Sequence, residues 1–506
     1  MKSKLIILTL LGVFLFNSCE EYLKEDIYSQ ITPELLFTSG DNAQLAVNAI
    51  YARYFDEWGT YRALVFALGM QVNQEFTFQR PNGNSDLQWN SSNGQLGSIW
   101  RGLYNGINTA NVAIDGIGKM EASNAFSEEK KNQLIAEARF MRAHGYYHLL
   151  RYWGGVPIQD KPTANPEEAI KAKDSHQAVF EFIVEDLKFA QQYLPVSYTG
   201  GFPDSGNATK GAAVAQLAMV YAQVSGVQFE GKIDKDYWNE ARAELVKLID
   251  VNNPKTAASP FTYSMEPDFK NLFWGGERVG GTWQPTRTAN DLGREVIWAA
   301  NFDPGAFANH GTWYFNHWAR GLSPYVVGKF EEGDYRDEIS LDRTSYEAQG
   351  RVVSAKIKRN QTGNTNYNNV YFARYAGMIL LLAEVENEIN GGPTDLALNC
   401  INAVRERARG GLDGAETRAV PADISTGLSY NDFKDTVFDE RAVELAVEFQ
   451  FWPDILRSGR LQRDWANLGS GADGDRGSYD ARWNFWPVPL NEIVTSGGII
   501  EQNSGH

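Results

Sequence analysis

Helical periodicity recurs along this chain in paired blocks, and it limits the possible folds more than any other feature of the sequence. Apolar residues three and four positions apart predict amphipathic helices, and these helices fall into successive pairs. Small residues such as Ala212 and Ala376 would let partner helices approach closely. We therefore predict a degenerate array of four helix pairs. The predicted pairs are 42–54 with 99–117, 127–153 with 177–193, 209–224 with 237–250, and 371–390 with 396–409.

Capping residues mark where two of the helices begin. Ser127 precedes Glu128 and Glu129, which is the pattern of an N-cap followed by an acidic first turn. Ser429 and Asp432 have the spacing of a capping box, so a further helix is predicted at 431–449.

Segments rich in Gly, Asn, Asp, Ser and Trp interrupt the helices and contain only short strand-like runs, such as 295–302. Long aromatic-rich loops on a helical scaffold are where binding residues usually lie. No linker divides the chain, so we expect residues 19–506 to form one domain. Its helical scaffold is expected at about 27–256 and 368–460, and its variable loop-rich region at about 257–367 plus 461–506.

Composition excludes several other classes of protein. The 506 residues are 43% hydrophobic and include two cysteines, which rules out a disordered chain and a disulfide-stapled one. The formal net charge of −16 repels phosphate backbones. We therefore expect no nucleic-acid partner.

The first 19 residues have the pattern of an export signal followed by a lipid-attachment site. Lys2 and Lys4 precede an apolar run at 5–16, which is shorter than the ~20 residues that span a bilayer. Residues 1–18 are therefore expected to be a lipoprotein signal peptide. Cys19 stands where signal peptidase II cleaves bacterial lipoprotein precursors, and its thiol would carry the lipid anchor. An ordinary cleaved signal is the alternative.

Sequence signatures of catalysis are missing: the chain has no GxSxG, HExxH or Walker motif. His144 and His148 are four positions apart on one predicted helix, with Glu137 further back, a spacing that could hold a metal ion. A complete third-ligand motif is missing, so the favoured interpretation is a pair of histidines buried between helices. We expect no catalytic residue, no metal and no cofactor. Cys400 is expected to be a small buried apolar residue.

The tryptophans divide into two groups by their surroundings. Trp100 and Trp298 have helical or strand spacing and are expected in the core. Trp89, Trp283 and Trp313 lie among polar and glycine residues in the irregular segments. Flat rings beside amides and carboxylates suit a sugar, because its C–H faces stack on aromatics and its hydroxyls bond the polar groups. The loops therefore favour carbohydrate binding.

The block EARFMRAHGYYHL at 137–149 leads into Gly-Gly-Val-Pro at 154–157, and several other segments accompany it in a fixed order. Together they resemble the SusD/RagB family of surface nutrient-binding lipoproteins of Bacteroidota. The family more often has Gly and Arg at the positions of Phe449 and Phe451, which is one departure. The other matching segments are 19–23, 99–111, 208–213, 333–336, 374–376, 381–384, 402–408, 440–445 and 486–489.

The resemblance implies a mainly α fold of four tetratricopeptide-like helix pairs, which form a right-handed superhelical scaffold beneath a variable loop-rich region. It also implies capture of oligo- or polysaccharide at the cell surface and delivery to a SusC-like TonB-dependent transporter, over whose barrel the protein would act as a lid. Glu20 and Glu21 resemble the family's signal for display on the outside of the outer membrane, where the lipid would anchor the chain. Members of the family are generally not enzymes.

Three arginines in the family motifs are expected to serve the scaffold through ion pairs or through bonds to helix carbonyls. They are Arg142, Arg405 and Arg441, with Glu137, Glu384 and Glu444 as the expected acids.

By position, the family takes binding aromatics from the loop before the 99–111 segment and from loops that flank the strand at 295–302. A neutral or weakly charged glycan is the expected ligand, because the acidic balance disfavours sulfated or uronic chains. The expected platform is Trp89, Trp283 and Trp313, with Asp86, Asn90 and Arg287 as hydrogen-bonding partners.

Three other functions stay open at this point. Capture of a peptide or glycoprotein would need a groove lined with polar groups that bond a peptide backbone. A glycoside hydrolase is less favoured, although 63 acidic residues always offer candidate carboxylate pairs. A purely structural repeat protein would bind no small ligand, and the aromatics in polar loops argue against it.

Overall fold

The computed structural model of the protein describes residues 36–55, 76–77, 90–163, 165–198, 206–273, 276–279, 282–285, 294–300, 321–344, 352–356, 361–362, 365–366, 369–410, 418–448, 450–468 and 478–506.

Helices make up most of the described residues, and both predicted capping residues are confirmed. Ser127 Oγ accepts a hydrogen bond from the Lys130 backbone N–H at 3.1 Å, and Ser429 Oγ accepts one from Asp432 at 3.2 Å. The α-helices are α1 (Gly40–Phe55), α2 (Gly94–Lys119), α3 (Glu128–Trp153), α4 (His176–Tyr193), α5 (Lys210–Ser225), α6 (Trp238–Leu248), α7 (Pro324–Val327), α8 (Tyr335–Ser340), α9 (Tyr375–Asn390), α10 (Asp395–Ala408), α11 (Tyr430–Glu444), α12 (Phe451–Arg457), α13 (Arg460–Arg463) and α14 (Leu490–Thr495).

The four predicted helix pairs are present, although α2 begins at Gly94 and not at 99 as predicted. Helix α1 packs on α2, α3 on α4, α5 on α6 and α9 on α10, and successive pairs also touch through α2 with α3 and α4 with α5. Packing around Tyr54 is close, because a Cβ atom added at Gly106 on α2 or at Gly145 on α3 would overlap the Tyr54 side chain. The prediction of a mainly α scaffold built from helix pairs is confirmed.

The predicted strand at 295–302 is confirmed in its centre, and a neighbouring helix boundary is wrong. Strand β4 (Val296–Ala300) pairs antiparallel with β10 (Val370–Arg374), and all five residues of β4 are buried. The helix predicted from Tyr371 therefore begins only at Tyr375, because the preceding residues complete this two-stranded ladder. The remaining strands also form two-stranded sheets: β1 (Phe76–Thr77) with β5 (Gly321–Leu322), β2 (Gly276–Val279) with β3 (Thr282–Pro285), β6 (Leu341–Asp342) with β7 (Val353–Ser354), and β8 (Gln361–Thr362) with β9 (Thr365–Asn366).

The helix predicted to end at 449 instead ends at Glu444, and nearby Val447 adopts a φ of 66°. The Glu444 carbonyl accepts hydrogen bonds from Lys356 Nζ at 3.0 Å and from Arg374 at 2.6 Å. Buried cations, and not a further helical turn, thus satisfy the backbone at this end of α11.

Trp298 of β4 joins the small sheet to the helical core, as predicted for a core tryptophan. Its ring lies 5.0 Å from that of Phe140 on α3 in an edge-to-face contact and 5.9 Å from that of Phe372 on β10.

Cys400 on α10 is also fully buried, and burial raises the pKa of its thiol. The expected apolar role of Cys400 is confirmed.

A buried ionic cluster connects α8, β10, α10 and α11. Glu444 is fully buried at its centre and bonds Arg336 at 3.1 Å, Arg374 at 2.7 Å and Arg407. Burial alone would raise the pKa of Glu444, but the surrounding guanidinium groups hold that pKa below its ordinary value. The carboxylate therefore stays ionised inside the fold.

The acids predicted for the three motif arginines are wrong, although all three arginines are buried within the scaffold. One of them, Arg441, also donates to a helix carbonyl, that of Gly377 at 2.9 Å, as the alternative prediction states. Each arginine pairs with an acid of another element: Arg142 with Asp186 of α4 at 2.8 Å, Arg405 with Glu440 of α11 at 2.6 Å, and Arg441 with Asp454 of α12 at 2.8 Å.

Within the described ranges, no helix has both the length and the apolar character needed to cross a membrane.

Candidate functional site

The structure describes two of the six residues predicted to bind ligand. Trp283 lies in β3, where its backbone is paired with that of Arg278 in β2. Asn90 is exposed at the entrance to α2. The other predicted site residues, Trp89, Trp313, Asp86 and Arg287, lie outside the described residues, as does the predicted lipidation residue Cys19.

Asn90 turns the chain into α2. Its Oδ1 atom accepts a hydrogen bond from the Ser92 N–H at 2.9 Å, and its carbonyl accepts one from Asn93 at 3.0 Å. The carbonyl of the next residue, Ser91, accepts from the backbone N–H of Leu490 at 2.8 Å. Asn90 therefore lies where the beginning of α2 meets α14.

Helices α2 and α14 also form two sides of a cleft of about 410 Å³. The third side is formed by residues 157–163 and 165–169, which follow α3. Ligand pockets in proteins commonly enclose ~300–1,000 Å³, so this cleft is large enough to bind a small molecule or a short segment of a polymer. Helix α2 contributes Trp100, Arg101, Tyr104, Asn105 and Asn108 to its lining.

Aromatic packing fixes the inner end of the cleft. Trp100 is 2% exposed and packs edge-to-face on Trp153, with ring centres 5.3 Å apart. Tyr104 contacts Trp100 at 5.2 Å and donates its hydroxyl proton to the Pro157 carbonyl at 2.8 Å. Trp100 lies in the core as predicted, and Tyr104 links α2 to the opposite wall.

Hydrogen bonds hold that wall in place. Asn108 Oδ1 accepts from the Thr163 N–H at 2.8 Å, and Asn111 Nδ2 donates to the Gln159 carbonyl at 2.8 Å. Gln159 Nε2 in turn donates to the Ala169 carbonyl at 2.8 Å. The cleft is therefore formed by the fold and does not depend on a ligand to assemble it.

One acid and one base face each other across the cleft. Partial burial raises the pKa of Glu492 on α14, while the positive charge of Arg101 and a hydrogen bond from Trp100 oppose that rise. The cleft thus combines a hydrogen-bond donor and an acceptor with aromatic and aliphatic side chains. Such a lining can bind a ligand that has hydroxyl groups and a C–H face.

Two models of known protein families match the chain. The model of the family described as "SusD family" matches residues 262–506, and a model described as "Starch-binding associating with outer membrane" matches residues 43–222. The SusD-like protein P2 of Formosa agariphila is 28% identical over an alignment of 543 positions. The alignment covers 99% of this chain and 98% of that protein.

The chain belongs to the SusD/RagB family.

Solved structures of SusD-like proteins share its fold. A SusD superfamily protein from Parabacteroides distasonis superposes with a TM-score of 0.72 at 21% identity, covering 92% of this chain and 99% of that one. A laminarin-binding SusD-like protein superposes with a TM-score of 0.66 at 20% identity, covering 92% of this chain and 100% of that one. The tetratricopeptide-like helical architecture expected for the family is confirmed.

The block at 137–149, the most specific SusD/RagB match, forms part of the core. His144 Nδ1 lies 3.1 Å from Gln216 Oε1, His148 Nε2 lies 3.2 Å from His144 Nε2, and Arg151 donates to His148 Nδ1 at 3.0 Å. Burial lowers the pKa of His144 to about 4 and lowers that of His148 as well, so both rings are neutral at pH 7. The expected buried histidine pair is confirmed. Among the residues that the structure describes, no three His, Cys, Asp or Glu side chains are grouped as a metal site.

Sequence reasoning missed the polar lining of the cleft. Arg101, Asn105 and Asn108 lie within the SusD/RagB motif at 99–111 and line the cleft, but none of them was among the predicted binding residues. Their spacing of four and three residues places them on one face of α2, and this is the signal that points to a shared surface. Glu492, in contrast, comes from the far end of the chain and carries no local signal.

Proposed function

We propose that the protein is a cell-surface lipoprotein, anchored in the outer membrane through Cys19, that captures oligo- or polysaccharide and delivers it to a SusC-like TonB-dependent transporter. Membership of the SusD/RagB family carries this proposal. It is supported by the matching family model, whose description names starch binding and the outer membrane, and by the shared fold with a laminarin-binding SusD-like protein. The protein acts by binding its ligand, not by catalysis.

The aromatic loops form the main glycan site in this proposal. Their rings stack on the C–H faces of the sugar, and the nearby polar side chains bond its hydroxyls. Asn90 supports this placement, because it is exposed beside the entrance to α2. The proposed platform is Trp89, Trp283 and Trp313, with Asp86, Asn90 and Arg287 as partners.

Affinity electrophoresis tests glycan capture. The mature chain with Cys19→Ala is run through gels that contain neutral or acidic polysaccharides, alongside versions that also carry Trp89→Ala or Trp283→Ala. We expect at least one neutral glycan to retard the protein and each tryptophan substitution to weaken the retardation. The control is Tyr193→Ala, which removes a half-exposed ring at the end of α4 and should leave retardation unchanged. Equal migration of all variants in every gel would contradict the proposal.

Co-purification tests the transporter. The lipidated protein is tagged at its C-terminus, expressed in its native host and isolated from detergent-solubilised outer membranes. We expect a TonB-dependent transporter in the same complex, in an amount comparable to the protein. Its absence under conditions that preserve other outer-membrane complexes would contradict the delivery step but not glycan capture.

A further inference from the structure

We infer that the cleft between α2, residues 157–163 and 165–169, and α14 is a second carbohydrate subsite. It binds a short neutral saccharide through the hydroxyl groups of the sugar, apart from the aromatic platform of the loops. This inference rests on the proposed glycan-binding function.

The first argument is a row of polar groups on α2 that face the cleft. Arg101, Asn105 and Asn108 share one face of the helix and line the cleft together. Within the described part of the chain, the side chains of Arg101 and Asn105 make no hydrogen bond, and the charge of Arg101 acts on Glu492 without a direct ion pair. Asn108 uses its Oδ1 atom to bond Thr163, which leaves its Nδ2 atom without an acceptor there. The row therefore offers several donors and an amide acceptor to a ligand.

The second argument concerns charge. The lining contains one base, Arg101, and one acid, Glu492, so the local charges balance. An anionic sugar would meet Glu492 in a chain whose formal net charge is already −16. A hydroxyl group both donates and accepts hydrogen bonds, and it can therefore use the guanidinium, the amides and the carboxylate at once. This combination favours a neutral polyhydroxy ligand.

The third argument is that the cleft is preformed and partly apolar. Tyr104, Pro157 and Ile500 supply surface for the C–H faces of a sugar. The Tyr104 hydroxyl fixes Pro157 through a 2.8 Å hydrogen bond, and Asn108 fixes Thr163 through another. A wall that is already ordered loses little conformational freedom when the ligand binds.

Calorimetric titration of the mature chain tests the subsite, with laminaritetraose and maltotetraose as neutral probes and tetragalacturonate as a charged one. We expect at least one neutral probe to bind, and Arg101→Ala and Asn105→Ala each to weaken its affinity by about tenfold, because each removes hydrogen bonds to the sugar. The matched control is Lys119→Ala, an exposed residue at the other end of the same helix, which should leave the affinity unchanged. Retardation of these cleft variants by polysaccharide should persist, since the loop aromatics remain.

Three results would overturn the inference. The first is a neutral probe that binds both cleft variants as tightly as the wild type. The second is stronger binding of tetragalacturonate than of either neutral probe. The third is no binding of any tetrasaccharide while polysaccharide still retards the protein, which would leave the proposed function intact. Absence of both kinds of binding would remove the proposed function as well.

Discussion

Glu137 on α3 provides a stability test that depends on pH. Its carboxylate is fully buried and accepts hydrogen bonds from Tyr198 at 3.0 Å, Asn207 at 2.9 Å, Gln133 at 3.3 Å and Tyr51 at 3.4 Å. None of these donors carries a charge. Burial therefore prevails over the hydrogen bonds and raises the pKa of Glu137 from 4.5 to about 7.

The hydrogen-bond geometry also suits a protonated Glu137. The Tyr198 hydroxyl lies 3.0 Å from Glu137 Oε1 and 2.9 Å from the Ala208 carbonyl, but it has one proton to donate. A protonated carboxyl can donate to the Tyr198 oxygen, and Tyr198 can then donate to Ala208. The neutral form thus satisfies a carbonyl for which the ionised form competes.

The magnitude follows from the difference in proton affinity between the folded and unfolded chains. A rise in pKa from 4.5 to about 7 corresponds to about 3 kcal/mol, at about 1.4 kcal/mol for each tenfold change in affinity. Because the folded state binds the proton more tightly, this contribution to the free energy of unfolding is complete below pH 4.5. It is lost as the pH rises from 4.5 to about 7.

Chemical denaturation of the wild type and of Glu137→Gln between pH 4 and pH 8 measures this effect. Gln keeps the shape of the protonated carboxyl and does not titrate, so the stability of the variant relative to the wild type should rise by up to about 3 kcal/mol across that range. The control is Glu181→Gln, which changes an exposed acid on α4 and should show no such trend. A difference between wild type and Glu137→Gln that stays constant with pH would refute the reasoning.

Three further predictions concern the anchor and the core. Cys19→Ala should move the protein from the membrane fraction to the soluble fraction, as measured by cell fractionation and immunoblotting; retention in the membrane would contradict lipidation. Gly145→Ala should lower the free energy of unfolding by about 1–3 kcal/mol, because the new Cβ overlaps the Tyr54 hydroxyl. Tyr54→Phe should recover part of that loss in a double-mutant cycle, and strict additivity would contradict the overlap. Glu444→Ala should cost about 3–5 kcal/mol in denaturant titrations, since it leaves Arg407 and its neighbours buried without their shared acid; a loss below 1 kcal/mol would argue against the ionic cluster.

Local signals in the sequence predicted the helices well, because capping and apolar spacing act over a few residues. Ser127 and Ser429 begin α3 and α11 as expected. Two of the boundary errors arise where distant residues take over. Strand β4 recruits 370–374 into a ladder, and Lys356 and Arg374 satisfy the carbonyl at the end of α11. Neither the strand pairing nor these hydrogen bonds can be recognised from the residues next to each helix end.

The ion pairs of the scaffold show the same limit. Arg142 and Glu137 lie on one helix and were expected to pair, yet Arg142 binds Asp186 and Glu137 is surrounded by uncharged donors. Sequence spacing identifies which charged residues are buried, but the crossing of α3 with α4 determines which of them meet.

The sequence could predict the chemical type of the binding surface but not which residues form it. Residues of the cleft come from three separate segments, with Arg101 on α2, Thr163 after α3 and Glu492 on α14. Only the fold brings them together. The polar row on α2 could have been found from its helical spacing, whereas Glu492 could not.

Surface binding of a labelled polysaccharide by intact cells tests the central claim most directly. Cells of a deletion strain are complemented either with the wild-type chain or with a chain that carries both Trp89→Ala and Trp283→Ala, at equal surface abundance. The proposed function predicts that a neutral glycan labels the wild-type cells and that the double substitution removes most of the label. Equal labelling of the two strains, or no labelling of either by any glycan of a broad panel, would contradict it.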